Sequence, residues 1–202
     1  MIYSGCPVRY NQDMILRAAK PEDIAGVMNV ERNAFIPAIQ ENEAVFKERI
    51  QVCSNCFIIF EDEQSHHTAG YFSAERWQEI PASDSVFVLG HSAAKSQCST
   101  GPVLYLSSFA LLAAYRGNGL GRTLFSQSVN WFCSHAQGIH ELILLVNSEW
   151  KGAEHIYRSY GFKELRRIPG FFPSLTGKNA DGIIMTAQAP QQAAPVYGAN
   201  QK

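Results

Sequence analysis

The segment Arg116-Gly-Asn-Gly-Leu-Gly-Arg122 sets three glycines at alternate positions between two arginines. It follows a strongly apolar run and opens a helical pattern. A helix N-terminus presents unpaired N–H groups and partial positive charge, and glycines there admit an anion where a Cβ would block it. The segment is therefore a candidate phosphate cradle; the bland alternative is a tight strand-to-helix turn. Two common nucleotide motifs fail. Gly121 is followed by Arg122, Thr123 and Leu124, which breaks G-x-G-x-x-G, and the next strand ends in Asn147 rather than an acid. No lysine lies between Gln97 and Lys151 to complete a Walker loop. These absences count against a nucleotide-dependent kinase or reductase. Cys53 and Cys56 have metal-knuckle spacing, but no second Cys or His pair follows at partner distance. The expectation is no metal, with small apolar residues at a helix end and reduced thiols.

Hydrophobic periodicity supplies the elements that must position this loop. Residues 14–19 read as a strand. Residues 20–35 read as a helix, with Pro21, Glu22 and Asp23 as its start signal, and residues 41–53 as a second helix. Residues 56–62 and 68–77 read as a hairpin and residues 103–112 as a strong strand. A helix over 119–135, a strand over 140–147 and a helix over 149–161 follow. Strands over 162–168 and 180–187 flank a loop that begins at Pro169. Residues 78–101 read as a long, partly ordered excursion, a kind of segment that is often functional. The order of elements implies an α/β fold with a mixed sheet. The expected division is an N-terminal extension over 1–13, one domain over 14–187 and a disordered tail over 188–202.

The 202 residues carry a net charge of −1 and 46% hydrophobic residues, an ordinary composition for one globular domain. That balance argues against a nucleic-acid binder, and no apolar run is long enough to span a bilayer. With no secretory signal pattern at the N-terminus, the expected location is the cytoplasm.

Arg116, Gly119 and Gly121 fit R-x-x-G-x-G, which resembles the pyrophosphate-cradling signature of the GNAT acetyltransferase superfamily. Ile156–Phe162, "IYRSYGF", resembles that superfamily's Y-x-x-x-G-F segment, and Asn147 closes the intervening strand where the family often has Asn. The resemblance covers about Leu16 to Ala187. It implies six to seven mostly antiparallel strands with a central splayed pair, flanked by about four helices, and acetyl-CoA as co-substrate. By it, Arg116 leads a loop in which the N–H groups of Gly117, Asn118, Gly119, Leu120, Gly121 and Arg122 hold the pyrophosphate. The strand carrying Phe109, Ala110 and Leu111 borders the pantetheine arm, with an N–H near Leu111 for the oxyanion. Tyr157 matches the tyrosine that protonates the departing thiolate.

The general base is less defined. Weaker similarity to arylalkylamine N-acetyltransferases sets Tyr105 and Ser107 where those enzymes carry two relaying histidines, so that relay is absent as such. Glu75, Glu31 and His91 are the candidates. Glu75 interrupts an apolar-aromatic strand and His91 has a suitable intrinsic pKa. Ser107 and Ser108 either line the acceptor site or bond within the sheet. Phe171 and Phe172 suggest an apolar lip, a feature that also resembles ribosomal-protein N-terminal acetyltransferases; Trp77, Phe72 and Tyr105 are further candidates for an acceptor wall. The expected acceptor is a small primary amine attacking within a ternary complex. A peptide N-terminus and a non-catalytic acyl-CoA sensor are the alternatives, and a homodimer is an allowed assembly.

Overall fold

A computed structural model describes residues 8–10, 14–174 and 177–190. Strands β1 (Val8–Tyr10), β2 (Met14–Ala18), β3 (Phe57–Asp62), β4 (Thr68–Trp77) and β5 (Val103–Leu111) form one half of a sheet; β6 (Glu141–Asn147), β7 (Lys163–Phe172) and β8 (Ala180–Gln188) form the other. Their spatial order is β1-β2-β3-β4-β5-β6-β8-β7. Every neighbouring pair is antiparallel except β5–β6, which is parallel. That central pair is short. Val103–Leu106 pair with Glu141–Leu144, after which β5 continues on β4 alone and β6 on β8 alone. The sheet opens there as a wedge. Within β5, Ser73 faces Ser108 while Ala74 faces Leu106, so Ser107 is the extra residue of a β-bulge.

Helices cover both faces. α1 (Ile24–Ala34) and α2 (Glu43–Val52) bury Val27, Val30, Phe46 and Ile50 against Phe57, Ile59 and Tyr71. α4 (Leu120–His135) buries Leu124, Phe125, Val129 and Phe132 on the other face, and α5 (Lys151–Tyr160) adds Ala153, Ile156, Tyr157 and Tyr160 at i, i+3, i+4, i+7 spacing. α3 (Ala93–Ser96) is a single turn inside the 78–101 excursion. The mixed α/β architecture, the splayed central pair and four full-length helices match expectation. Among the described residues no helix is long and apolar enough to cross a membrane.

Four local expectations are corrected. Residues 8–10, read as irregular, pair with β2 as an edge strand. The supposed loop at Pro169 begins later, because β7 runs on to Phe172. β7 is the last strand of the sheet, so Pro169 removes no ladder bond that the sheet needs, and an irregularity between Ile168 and Phe172 accommodates Gly170 at φ +62°. Cys53 and Cys56, expected as free thiols, form a disulfide between the end of α2 and the start of β3, while Cys98 keeps a free thiol. The tail expected to be disordered starts with Gln188, which belongs to β8; from residue 191 it lies outside the described residues.

Candidate active site

The glycine loop has the backbone that its sequence demands. Gly117, Asn118 and Gly119 take φ values of +92°, +48° and +80°, the left-handed region that glycine and asparagine enter most cheaply. Gly119 is the N-cap of α4. Thr123 N–H returns to Gly119 O at 3.1 Å and Leu120 N–H to Gly117 O at 3.2 Å. The N–H groups of Gly117, Asn118, Gly119, Gly121 and Arg122 have no acceptor among the described residues. Successive free N–H groups at a helix N-terminus form an anion nest, so the loop fits a pyrophosphate. Arg116 braces it by donating from Nε to Leu111 O at 2.9 Å.

From the loop a cavity of about 740 Å³ runs through the wedge between β5 and β6 to the α1–α2 face. Leu112 N–H bonds to Ala69 O on β4. Two-residue alternation then turns the N–H groups of Leu111 and Phe109 to the other edge of β5, where β6 has diverged. This is an open strand edge for an extended chain of amides. Phe109, Ala110 and Leu111 line the cavity, as do Arg116, Gly117, Asn118, Gly119, Gly121 and Arg122. Leu120 and Asn147 do not. Leu120 packs into the core, and Asn147 Oδ1 accepts from Glu149 N–H at 2.8 Å, holding the turn into α5.

Tyr157 lines the cavity from α5, against Phe125 at 5.1 Å between ring centroids. Its position is fixed by a Schellman motif. Gly161, at φ +115°, donates to Arg158 O, Phe162 N–H returns to Tyr157 O at 3.0 Å, and the Phe162 ring packs on the Tyr157 ring. The Tyr…Gly-Phe spacing is thus the grammar of a helix end that aims one hydroxyl. That hydroxyl bonds to no other described residue, and burial raises its pKa.

The three base candidates separate clearly. Glu75 is 1% exposed and does not line the cavity. Its Oε2 accepts from Ser96 Oγ at 2.6 Å and Trp77 Nε1 at 3.2 Å; its Oε1 faces His91 Nε2 at 2.8 Å and Arg49 Nε at 3.5 Å. Burial alone would raise its pKa, but His91, Ser96 and Arg49 outweigh that and lower it. His91 lines the cavity, yet Nδ1 faces Val88 O at 3.2 Å as Nε2 faces the carboxylate. Both acceptors require a proton on the ring. Burial opposes that charge, Glu75 outweighs it, and the pKa is raised. The two side chains are engaged with each other, and together they anchor the excursion. Glu31 does line the cavity, from α1. It accepts from Tyr71 Oη and from Glu41 N–H at 2.8 Å, and burial raises its pKa despite both bonds.

Residues 78–101 lie as a strap over the end of the cavity away from the glycine loop. Gly90 N–H donates to Glu41 at 3.0 Å, Ser92 Oγ and Ala94 N–H donate to Glu48 at 2.7 and 2.8 Å, and Ser96 holds Glu75. Arg166 on β7 pairs with Asp84 at 2.8 Å and donates to Pro81 O at 2.8 Å. Phe87, 1% exposed, turns inward against Tyr105 and lines the cavity. Opposite, Phe35 from the α1–α2 connection meets Trp150 at 5.5 Å, and Trp150 meets Phe172 at 5.5 Å. Phe72, Tyr105 and Phe172 line the cavity as expected. Trp77 and Phe171 do not: Trp77 stacks behind Tyr105 at 4.2 Å, and Phe171 packs on Phe172. Sequence reasoning missed Phe35, Phe87 and Trp150. The available signal is Trp150 at the N-cap of α5, a position that normally takes Ser, Thr, Asp or Asn.

An anion nest, an open strand edge and an acceptor chamber on one cavity define a coenzyme A-dependent acyltransferase. The family model described as "Acetyltransferase (GNAT) domain" matches residues 54–164, and the chain belongs to that family. It is an N-acetyltransferase with a coenzyme A thioester as co-substrate. Solved structures agree in fold. The loading GNATL domain of CurA from Lyngbya majuscula superposes with a TM-score of 0.72 at 14% identity, over 90% of this chain and 98% of that one. The ribosomal-protein-S18-alanine N-acetyltransferase from Escherichia coli gives 0.63 at 18%, over 91% and 99%. The protein yncA from Salmonella typhimurium, solved with acetyl-CoA, gives 0.64 at 19%, over 92% and 99%. No curated protein matches in sequence.

Proposed function

We propose that the chain transfers acetyl from acetyl-CoA to the primary amine of a small molecule with an apolar body. The observation that carries this reading is the closure of the acceptor end. The strap covers one side, and the Phe35–Trp150–Phe172 contacts join the α1–α2 connection to the β7–β8 end on the other. A walled chamber of this kind suits a compact ligand better than an extended peptide, and about 740 Å³ lies within the range of small-molecule sites. Its aromatic wall suits an apolar body, and its polar floor of Glu31 and Ser108 suits an amine.

Acetyl-CoA supplies an activated acyl carbon when bound. The nest at Gly117–Arg122 holds its diphosphate, and the N–H groups of Phe109 and Leu111 orient the thioester arm and stabilise developing negative charge on the carbonyl oxygen. Tyr157, with a free hydroxyl kept protonated by burial, gives a proton to the departing sulfur. The test is to incubate the protein with acetyl-CoA and a panel of arylalkyl- and alkylamines, polar amines and peptides, following free thiol. Thiol release selective for apolar amines is the expected result. Release with peptides alone would make it a peptide acetyltransferase, and binding without acceptor-dependent release would make it a sensor.

A further inference from the structure

Resting on the reading of this cavity as an amine-acetylating site, we infer that Ser108, Tyr71 and Glu31 form a one-way proton wire that deprotonates the acceptor. The three come from β5, β4 and α1. Tyr71 Oη bonds to Glu31 Oε2 and lies 3.0 Å from Ser108 Oγ. An ionised carboxylate can only accept, so Tyr71 spends its single proton on Glu31. Ser108 must then donate to Tyr71, which leaves the Ser108 oxygen as an acceptor where that residue lines the cavity. Ser108 also adjoins Phe109, whose N–H faces the wedge. Ser107, by contrast, is spent inside the sheet, bonded to Ser73 Oγ at 2.6 Å and donating to Ser73 O at 3.1 Å. The bulge at Ser107 therefore selects Ser108 as the serine that meets the substrate.

The wire is rigid. Tyr71 is fully buried, edge-on to Phe46 and Phe57 at 5.3 and 5.7 Å. Glu31 is faced by Tyr71 from β4, Glu41 from the α1–α2 connection and Arg49 from α2, and burial gives its carboxylate a raised proton affinity. The surplus proton of an entering ammonium passes to Ser108, as Ser108 passes its own to Tyr71 and Tyr71 its own to Glu31; Glu31 later returns it to cavity water. The neutral nitrogen then forms the C–N bond as the C–S bond breaks. The nitrogen's remaining surplus proton ends on sulfur, delivered by Tyr157, which the nitrogen reprotonates.

Tyr71→Phe and Ser108→Ala are the test, with Ser108→Ala as the half-buried change that spares the core. Each is expected to lower kcat on the order of a hundredfold with acetyl-CoA Kd within about twofold of wild type. Because the residues act as a unit, the double variant falls no further than the slower single. In the wild type, kcat declines as pH falls through the raised pKa of Glu31; acceptors of lower amine pKa, which arrive neutral, narrow the gap between wild type and variants. An active wild type with Tyr71→Phe within about threefold, or with additive losses in the double variant, overturns the wire alone. A wild type that binds acetyl-CoA but acetylates no amine overturns the functional reading and the wire with it.

Discussion

His91 Nε2 lies 2.8 Å from Glu75 Oε1, joining the strap to a strand that the strap follows in sequence. The His91 pKa is raised from 6.5, so its contribution is complete below pH 6.5 and is lost as pH rises through the raised value. The Glu75 pKa is lowered from 4.5, so its contribution is present above pH 4.5 and is lost as pH falls through the lowered value. The anchor is fully formed between those limits and fades on the alkaline side. His91→Gln should destabilise the fold by about 1–3 kcal/mol near pH 6 and flatten the alkaline decline in thermal stability. Melting curves across pH for both proteins check this, and parallel pH profiles would contradict it.

Gly119→Ala and Gly121→Ala separate strain from ligand access. Gly119 has φ +80°, so a Cβ there costs about 1–2 kcal/mol of backbone energy. A Cβ on Gly121 meets Ile156 Cδ1 at 3.5 Å, ordinary contact. Gly121→Ala should therefore melt like wild type, yet bind acetyl-CoA at least about tenfold more weakly because its methyl narrows the nest. Calorimetric titration beside a melting curve gives both numbers.

Tyr157→Phe removes a hydroxyl with no partner among the described residues. Stability should stay within about 0.5 kcal/mol of wild type and acetyl-CoA affinity should be nearly intact. Turnover should fall on the order of a hundredfold. Unchanged turnover across pH would remove Tyr157 from the chemistry.

Trp150→Ala opens the aromatic wall between Phe35 and Phe172. For apolar amines KM should rise about tenfold with kcat little changed, while small polar amines lose their disadvantage. Steady-state kinetics with a matched pair of amines decides it.

The glycine loop was legible because its task falls on the backbone, and backbone demands restrict residue type locally. Tyr157 was legible for a related reason, since Gly161 and Phe162 mark the helix end that aims it. The proton wire was not. Glu31, Tyr71 and Ser108 are joined by the β4–β5 register and by one inserted residue at Ser107, and hydrophobic alternation does not reveal a bulge in advance. Glu75 was ambiguous in the sequence because a buried acid in an apolar strand signals either catalysis or pairing; the strap that pairs it had no periodic pattern. Pro169 misled because a proline signals a break unless its strand is an edge, and edge position belongs to topology.

The short parallel contact between β5 and β6 makes the free protein two half-sheets sharing one seam, Val103–Leu106 on Glu141–Leu144. A ligand arm with amide groups laid along the open edge of β5 would extend that seam toward Leu111. The co-substrate would then act as a temporary strand as well as a reagent, and its departure as the free thiol would leave the two halves coupled mainly at the closed end. Loading and mechanical cohesion would rise and fall together through each catalytic cycle.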